Sequence, residues 1–210
     1  MKRLLIATSN PAKLAEYRLL LREFALEAIS LADAAIHDRS EEDGATFKEN
    51  AIKKARFYFA RARIPTLADD GGLEIDALGG EPGVRSHRWI CGAEASDVAL
   101  VAEVIRRMER VEGSQRTARL CAAVALIYEV EGVPRECVTQ AAMEGVIAER
   151  AWPRVRPGFP YRSVLYLPER ACYVAELGDE EEARISQRRV AIAELAPELT
   201  TIAEGQASPS

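Results

Sequence analysis

The stretch "LADDGGLEIDALGGEPGVRSHRW", residues 67–89, holds two adjacent aspartates, five glycines and a proline within 23 positions. Together with the two residues before it, its opening "PTLADD" reads as a short strand that ends in paired carboxylates. The glycines that follow break regular structure and predict turns, with backbone able to approach a ligand closely. In a chain otherwise rich in alanine and leucine, two acids at a strand end raise the question of what they hold.

Upstream, "TFKE" predicts a helix start, with Thr46 as cap and Glu49 reaching back as in a capping box. That helix runs to about Arg63, with Phe47, Ala51, Ala55, Tyr58 and Phe59 as its buried stripe; Asn50 and Lys54, four apart, share another face. At the start of the chain, "RLLIAT" (3–8) reads as a buried strand, "SNPAK" as a polar turn, and Lys13 to Phe24 as an amphipathic helix. A strand–turn–helix of this kind aims backbone N–H groups and the positive helix end at one spot, which favours an anion. Downstream, "SDVALVAEVIRRMERV" predicts a helix capped by Ser96 or Asp97, and its "IRRMER" is a solvated face. "RTARLCAAVALIYEV" and "RECVTQAAMEGVIAE", joined by "EGVP", read as a hairpin. The region from Trp152 to Arg170 is irregular and then apolar at "SVLYLP", "DEEEARISQRRVAIAEL" reads as one last helix, and "EGQASPS" as a loose tail.

Composition narrows the chemistry. At 210 residues, 48% hydrophobic and 29% charged, the chain is long enough to bury one good core or two lobes around a cleft. No apolar run reaches the roughly 18 residues that cross a bilayer, and Met1 to Ser9 turns polar too soon for a secretory signal, so a cytoplasmic protein without a membrane partner is expected. Cys91, Cys121, Cys137 and Cys172 are scattered, with no pair at C-x-x-C spacing, and read as reduced core residues. A net charge of −5 argues against a nucleic-acid partner. Any phosphate must then be met by local cations or a metal. With only His37 and His87, far apart, that metal falls to carboxylate oxygens, which suit a hard ion such as magnesium. Each feature alone is an ordinary turn, cap or solvated lysine. Their shared chemistry, near the ends of strands and helices, is where open α/β sheets place ligands.

The order of three blocks, "ATSNPAKLAEY", "TFKENAIKKA" and "LADDGGLEIDALGGEPGVRSHRW", resembles the inosine triphosphate pyrophosphatase family, whose pattern runs approximately T-G-N-x-x-K, E-N-A-x-x-K-A and A-D-D-S-G-L-x-V-D-A-L-x-G-x-P-G-x-x-S-A-R. A weaker likeness continues in "VAELGDEEEARISQRRVAI". The resemblance implies an elongated mixed β-sheet flanked by helices in two lobes with a central substrate cleft, as one domain over residues 1–203 followed by a flexible tail at 204–210. It implies hydrolysis of deaminated purine nucleoside triphosphates such as ITP, dITP or XTP to monophosphate and pyrophosphate, by a homodimer using Mg2+, with Mn2+ as the alternative ion. By position, Thr8, Ser9, Asn10 and Lys13 form a phosphate-binding turn supported by Lys54. Asp70 is proton acceptor and metal ligand. Asp69 is either a supporting carboxylate on the metal or structural. Glu41 falls near the family's second acidic ligand, with Glu42 and Asp43 as competitors. Arg88 matches the arginine of the third block, with His87 structural.

Departures from the pattern bear on the base. Gly71 stands where the family has serine. Against G-F-G-Y-D-P-I-F this chain reads "GFPYRSVL", which keeps Phe159 and Tyr161 as stacking surfaces but sets Pro160 for glycine and Arg162 for aspartate. Glu182 stands for lysine and Gln187 for histidine, while Ser186 and Arg188 remain, and the resemblance implies Arg188 as a substrate contact; the Gln187 amide still donates to a keto oxygen. The changes at 162 and 182 are opposite in sign. They are either an ion pair exchanged end for end or unrelated drift at two surface positions. The same phosphate chemistry on another modified nucleotide, or a nucleotide-binding protein without catalysis, are the alternatives.

Overall fold

The computed structural model describes residues 1–86, 88–90 and 95–205. His87, Cys91 and the tail from residue 206 onward, each read in the sequence, lie outside the described residues. The strands are β1 (Lys2–Ile6), β2 (Leu26–Ile29), β3 (Thr66–Ile75), β4 (Thr117–Val130), β5 (Val133–Ile147), β6 (Leu165–Leu167) and β7 (Cys172–Tyr173). The helices are α1 (Pro11–Leu20), α2 (Phe47–Ala62), α3 (Asp97–Arg107), α4 (Asp179–Ile185), α5 (Gln187–Glu194) and α6 (Ala196–Glu204). The strands form one sheet in the order β2-β1-β3-β4-β5-β6-β7. It is mixed: β1 is parallel to β2 and β3, whereas β5, β6 and β7 pair antiparallel. This is the α/β class that the sequence implied.

The chain divides into two compact units, one of Met1–Asp70, Ala122–Ala141 and Arg188–Ser210, the other of Gly71–Cys121 and Ala142–Gln187. The first buries Leu4, Leu5, Tyr17, Leu67, Leu126 and Ile192; in the second, Leu73, Ile75, Leu100, Val104, Met108, Ile147 and Val164 form a continuous core. No helix among the described residues is long and apolar enough to cross a membrane.

Local chemistry accounts for most element ends. Asn10 caps α1, with Pro11 at its first position, where a missing N–H costs nothing. Thr46 caps α2 through the Glu49 amide at 3.1 Å, and the Glu49 carboxylate reaches back to Ala45 N, one residue before the cap, at 2.7 Å. Ser96 caps α3 through Ala99 N. Glu131 and Gly132, at φ 53° and 77°, make a two-residue connection between β4 and β5 whose twist suits a hairpin.

Three expectations change. The strand after "PT" does not stop at the acids: β3 continues through Gly71 and Gly72 to Ile75. A Cβ at position 72 would stand 2.0 Å from Ser86 Oγ, so this glycine serves close packing and not a turn. The single last helix read over residues 179–195 is two helices, α4 and α5, and a third, α6, follows directly. Ser186 is extended, at φ −64° and ψ 151°, between α4 and α5, and Pro197 sits in the first turn of α6. That helix ends at Glu204, inside the stretch read as tail. Helix α1 starts two residues before Lys13 and ends at Leu20, which leaves room for β2, a strand too short to stand out in the sequence.

Candidate functional site

Strand β1 delivers the chain to Thr8 and Asn10, where α1 begins. Thr8 Oγ1 accepts from Asn10 N at 3.1 Å, and Asn10 Oδ1 accepts from Ala12 N at 2.9 Å and Lys13 N at 3.3 Å. Two of the turn amides expected to face an anion are therefore used by the cap itself. Ser9 is exposed. The positive charge comes from Lys13, whose Nζ lies 3.1 Å from Asp69 Oδ2.

Asp69 is 1% exposed and stands at the centre of a buried charge cluster. Its Oδ2 also accepts from Arg188 Nε at 3.0 Å, while Oδ1 is buried with no hydrogen-bond partner among the described residues. Arg188 extends in turn to Glu16, Nη1 to Oε2 at 3.4 Å. Burial alone would push the Asp69 carboxyl up, but Lys13, Arg188 and Lys54 overcome it and hold the group well below the usual carboxylate range. Burial lowers the Lys13 ammonium, and Asp69 offsets this only in part.

Asp70, the next residue in β3, meets different neighbours. Successive strand side chains point to opposite faces. Asp69 meets α1 and α5, whereas Asp70 Oδ2 accepts from Asn50 Nδ2 on α2 at 3.0 Å. Asn50 is held from its other end, since its Oδ1 accepts from Gly44 N at 2.7 Å. Burial raises the Asp70 carboxyl, only partly offset by Lys54, Lys13 and the Asn50 bond, and Glu42 adds to the rise. Lys54 Nζ donates to Asp69 O at 3.0 Å and pairs with Glu42 Oε1 at 2.5 Å. Burial alone would lower the Lys54 ammonium, but Asp70 and Glu42 outweigh it and raise the group. Of the acids read as competitors, Glu42 is the one at Lys54, Asp43 pairs with Lys53 at 2.6 Å, and Glu41 is exposed.

These residues fit a hard ion in kind. Among the described residues no three His, Cys, Asp or Glu side chains form a ready metal-holding group. Asp70 and Glu42, however, repel each other across Lys54, and a divalent ion relieves such repulsion. Magnesium is commonly bound by one or two carboxylates together with a substrate's phosphates. The opposite facing of Asp69 favours the structural alternative left open for it.

In the second unit, a one-turn 3-10 helix over Pro160–Ser163 buries Tyr161 and Arg162. Arg162 Nε lies 2.5 Å from Glu182 Oε1, with both side chains 5% exposed, so the two reversed charges do face each other. The Arg162 guanidinium carbon stands 3.5 Å from the Phe159 ring centroid and covers one face of the ring read as a stacking surface. Glu182 Oε2 accepts from Arg156 Nη1 at 2.7 Å, and Arg156 also pairs with Asp179. Tyr161 is not a free surface, because its hydroxyl donates to Ser86 O at 2.6 Å. Gln187 is buried, and Gly71 is half-buried in β3. Sequence reading named neither Asn50 nor Glu16 nor Arg156 as site residues. Asn50 lay in a motif, "TFKENAIKKA", whose lysine alone was taken.

A mixed-sheet α/β protein with lysines and carboxylates gathered at the end of its first strand and along β3 is suited to phosphate chemistry. The sequence pattern of the Ham1 family matches residues 4–198, and the chain belongs to that family. It is 40% identical over 206 residues to the dITP/XTP pyrophosphatase of Geobacillus kaustophilus, covering 98% of each chain. An enzyme of the same name from Thermus thermophilus is 40% identical over 190 residues, covering 90% of this chain and 88% of that one. Among solved structures, a HAM1 protein from Coxiella burnetii superposes with a TM-score of 0.80 at 36% identity, covering 95% of this chain and 99% of that one.

Proposed function

We propose that this protein hydrolyses deaminated purine nucleoside triphosphates, ITP, dITP and XTP, to nucleoside monophosphate and pyrophosphate. The observation that carries the reading is Asp70. It is a desolvated carboxylate held by Asn50 beside Lys54, in a chain whose near-full-length relatives are named dITP/XTP pyrophosphatases.

Asp70 acts as the base. It takes a proton from a water whose oxygen attacks the α-phosphorus, while the bond from that phosphorus to the α–β bridging oxygen breaks and pyrophosphate leaves. A carboxylate whose burial disfavours its charged form accepts a proton more readily than a solvated one. Lys13 and Lys54 offset charge on the phosphates, and Lys54, raised by its acidic neighbours, stays cationic as it does so. Asn50 orients the base through its Nδ2 bond. Thr8, Ser9 and Asn10 complete the phosphate turn. Asp70 and Glu42, with Glu41 as the alternative acid, would hold magnesium, or manganese in its place, and the ion would supply further neutralisation of the phosphates. Asp69 fixes Lys13. Phe159, Tyr161, Arg162, Glu182, Gln187 and Gly71 are proposed for recognition of the nucleotide, with Tyr161 acting through Ser86. The chain works in the cytoplasm as a single domain over residues 1–203 that assembles as a homodimer, readable from its mass in solution.

Pyrophosphate release is measured from ITP, dITP, XTP, ATP and GTP with magnesium, with Asp70→Asn alongside. Hydrolysis confined to the deaminated purines and lost in the variant is expected. Equal rates on ATP, or an active Asp70→Asn, would overturn the reading.

A further inference from the structure

The charge cluster around Asp69 closes into a ring. Helix α1 contributes two of its members, Lys13 and, one turn later on the same face, Glu16. Lys13 binds Asp69 directly, at 3.1 Å, and Glu16 binds it through Arg188, whose Nη1 lies 3.4 Å from Glu16 Oε2 and whose Nε lies 3.0 Å from Asp69 Oδ2. The side chains of Lys13, Glu16, Arg188 and Asp69 are nearly closed to solvent, at 12%, 9%, 5% and 1% exposure. A guanidinium is a flat, rigid fork of five donors that can serve two acids at once. Arg188 is thereby committed to two carboxylates, one from α1 and one from β3.

Without Glu16 that commitment halves. The guanidinium would keep Asp69 but carry charge that Asp69, already shared with Lys13, does not neutralise. In so dry a setting, a surplus positive charge reaches further than it would in water. The anion brought in during turnover is the substrate's triphosphate, drawn to Lys13, or the pyrophosphate it releases. We infer that Glu16 is a positioning residue that keeps Arg188 on Asp69 and out of the phosphate-binding set, so that pyrophosphate meets no side-chain cation beyond Lys13 and Lys54 and can leave. This rests on the phosphate chemistry proposed above.

The test is calorimetric binding of inorganic pyrophosphate, in the absence of turnover, to the full-length protein and to Glu16→Gln. An exposed charge deletion on β2, Glu27→Gln, controls for net charge. Glu16→Gln is expected to bind pyrophosphate about three- to tenfold more tightly, with a steeper loss on adding salt, and Glu27→Gln to bind as the parent does. In turnover, Glu16→Gln is expected to lower KM and kcat together, whereas a partly unfolded variant lowers apparent kcat and leaves KM alone. Combining Glu16→Gln with Arg188→Gln removes both charges and is expected to return pyrophosphate affinity to the parent value. Should Glu16→Gln not fold, Glu16→Asp, whose shorter stem draws the charge back from the guanidinium, is expected to tighten binding by a smaller factor. Unchanged or weaker pyrophosphate binding in whichever of these variants folds would overturn the inference. So would a parent protein that does not bind pyrophosphate. A parent that binds pyrophosphate but hydrolyses no nucleotide would sink the catalytic reading and leave the Glu16 comparison standing.

Discussion

Removing the charge from Asp69 and from Asp70 should change stability by very different amounts, although the two residues are adjacent and the substitution is the same. Asp69→Asn leaves Lys13 and Arg188, which share its Oδ2 at 3.1 and 3.0 Å, facing each other in a site that is 1% exposed. Taking one partner from a buried ion pair costs about 3–5 kcal/mol, and here two cations lose the same anion. For a chain of this size that is a fall in Tm of roughly 6–20 °C. Asp70 is the reverse case. Burial disfavours its charge, and an asparagine there still accepts from Asn50 Nδ2. Asp70→Asn should therefore stay within about 1 kcal/mol of the parent, or gain slightly, while losing activity. The assay is urea unfolding of chelator-treated protein at pH 7, with m-values compared to exclude a change in the unfolded ensemble. Equal losses in the two variants, or a larger loss at Asp70, would refute the division of labour drawn from the opposed faces of β3.

Three further outcomes follow from the geometry. Arg116 is buried and donates to the carbonyls of Ile147, Met108, Val111 and Ala148, so Arg116→Met should strand those acceptors and cost about 3 kcal/mol or more in urea unfolding. The Glu103 carboxyl is held at about 2 by hydrogen bonds from Arg106 and Arg107. Its folded value lies below the unfolded one, so its contribution is present above about 4.5 and is lost as pH falls towards 2; Glu103→Gln should be less stable than the parent by about 1 kcal/mol at pH 7, with the gap closing in acid. The Cys121 thiol is pushed up to about 12 by burial and by Glu74, so iodoacetamide at pH 8 should label it only after unfolding, as peptide mass mapping would report.

How far the sequence led depended on whether a feature was local. Periodicity and caps placed α2 and α3, with Thr46 and Ser96 in the roles expected of them, because capping is a contact between residues three apart. The β4–β5 hairpin was legible for the same reason. The course of β3 was not: two glycines read as a turn, since nothing nearby in sequence announces that Ser86 will press against position 72. Nor did the helical pattern of residues 179–195 betray the extended Ser186. At the site, the motif residues Lys13, Lys54, Asp69 and Asp70 were picked out by type and order. Their pairing was hidden, because which lysine meets which carboxylate is set by helix packing. Glu16 looked like one more acid on an amphipathic helix.

The partners of Asp69 come from far apart along the chain. Arg188 is 119 residues beyond Asp69 and 172 beyond Glu16. On a ribosome, Lys13 and Asp69 emerge long before the guanidinium that completes their neutralisation. A nascent chain, or one released short of residue 188, carries the lysine and aspartate motifs but lacks one of the two cations that meet the buried Asp69 carboxylate. The burial of Asp69 thus waits for residue 188, and a product truncated before it should present its motifs without this geometry.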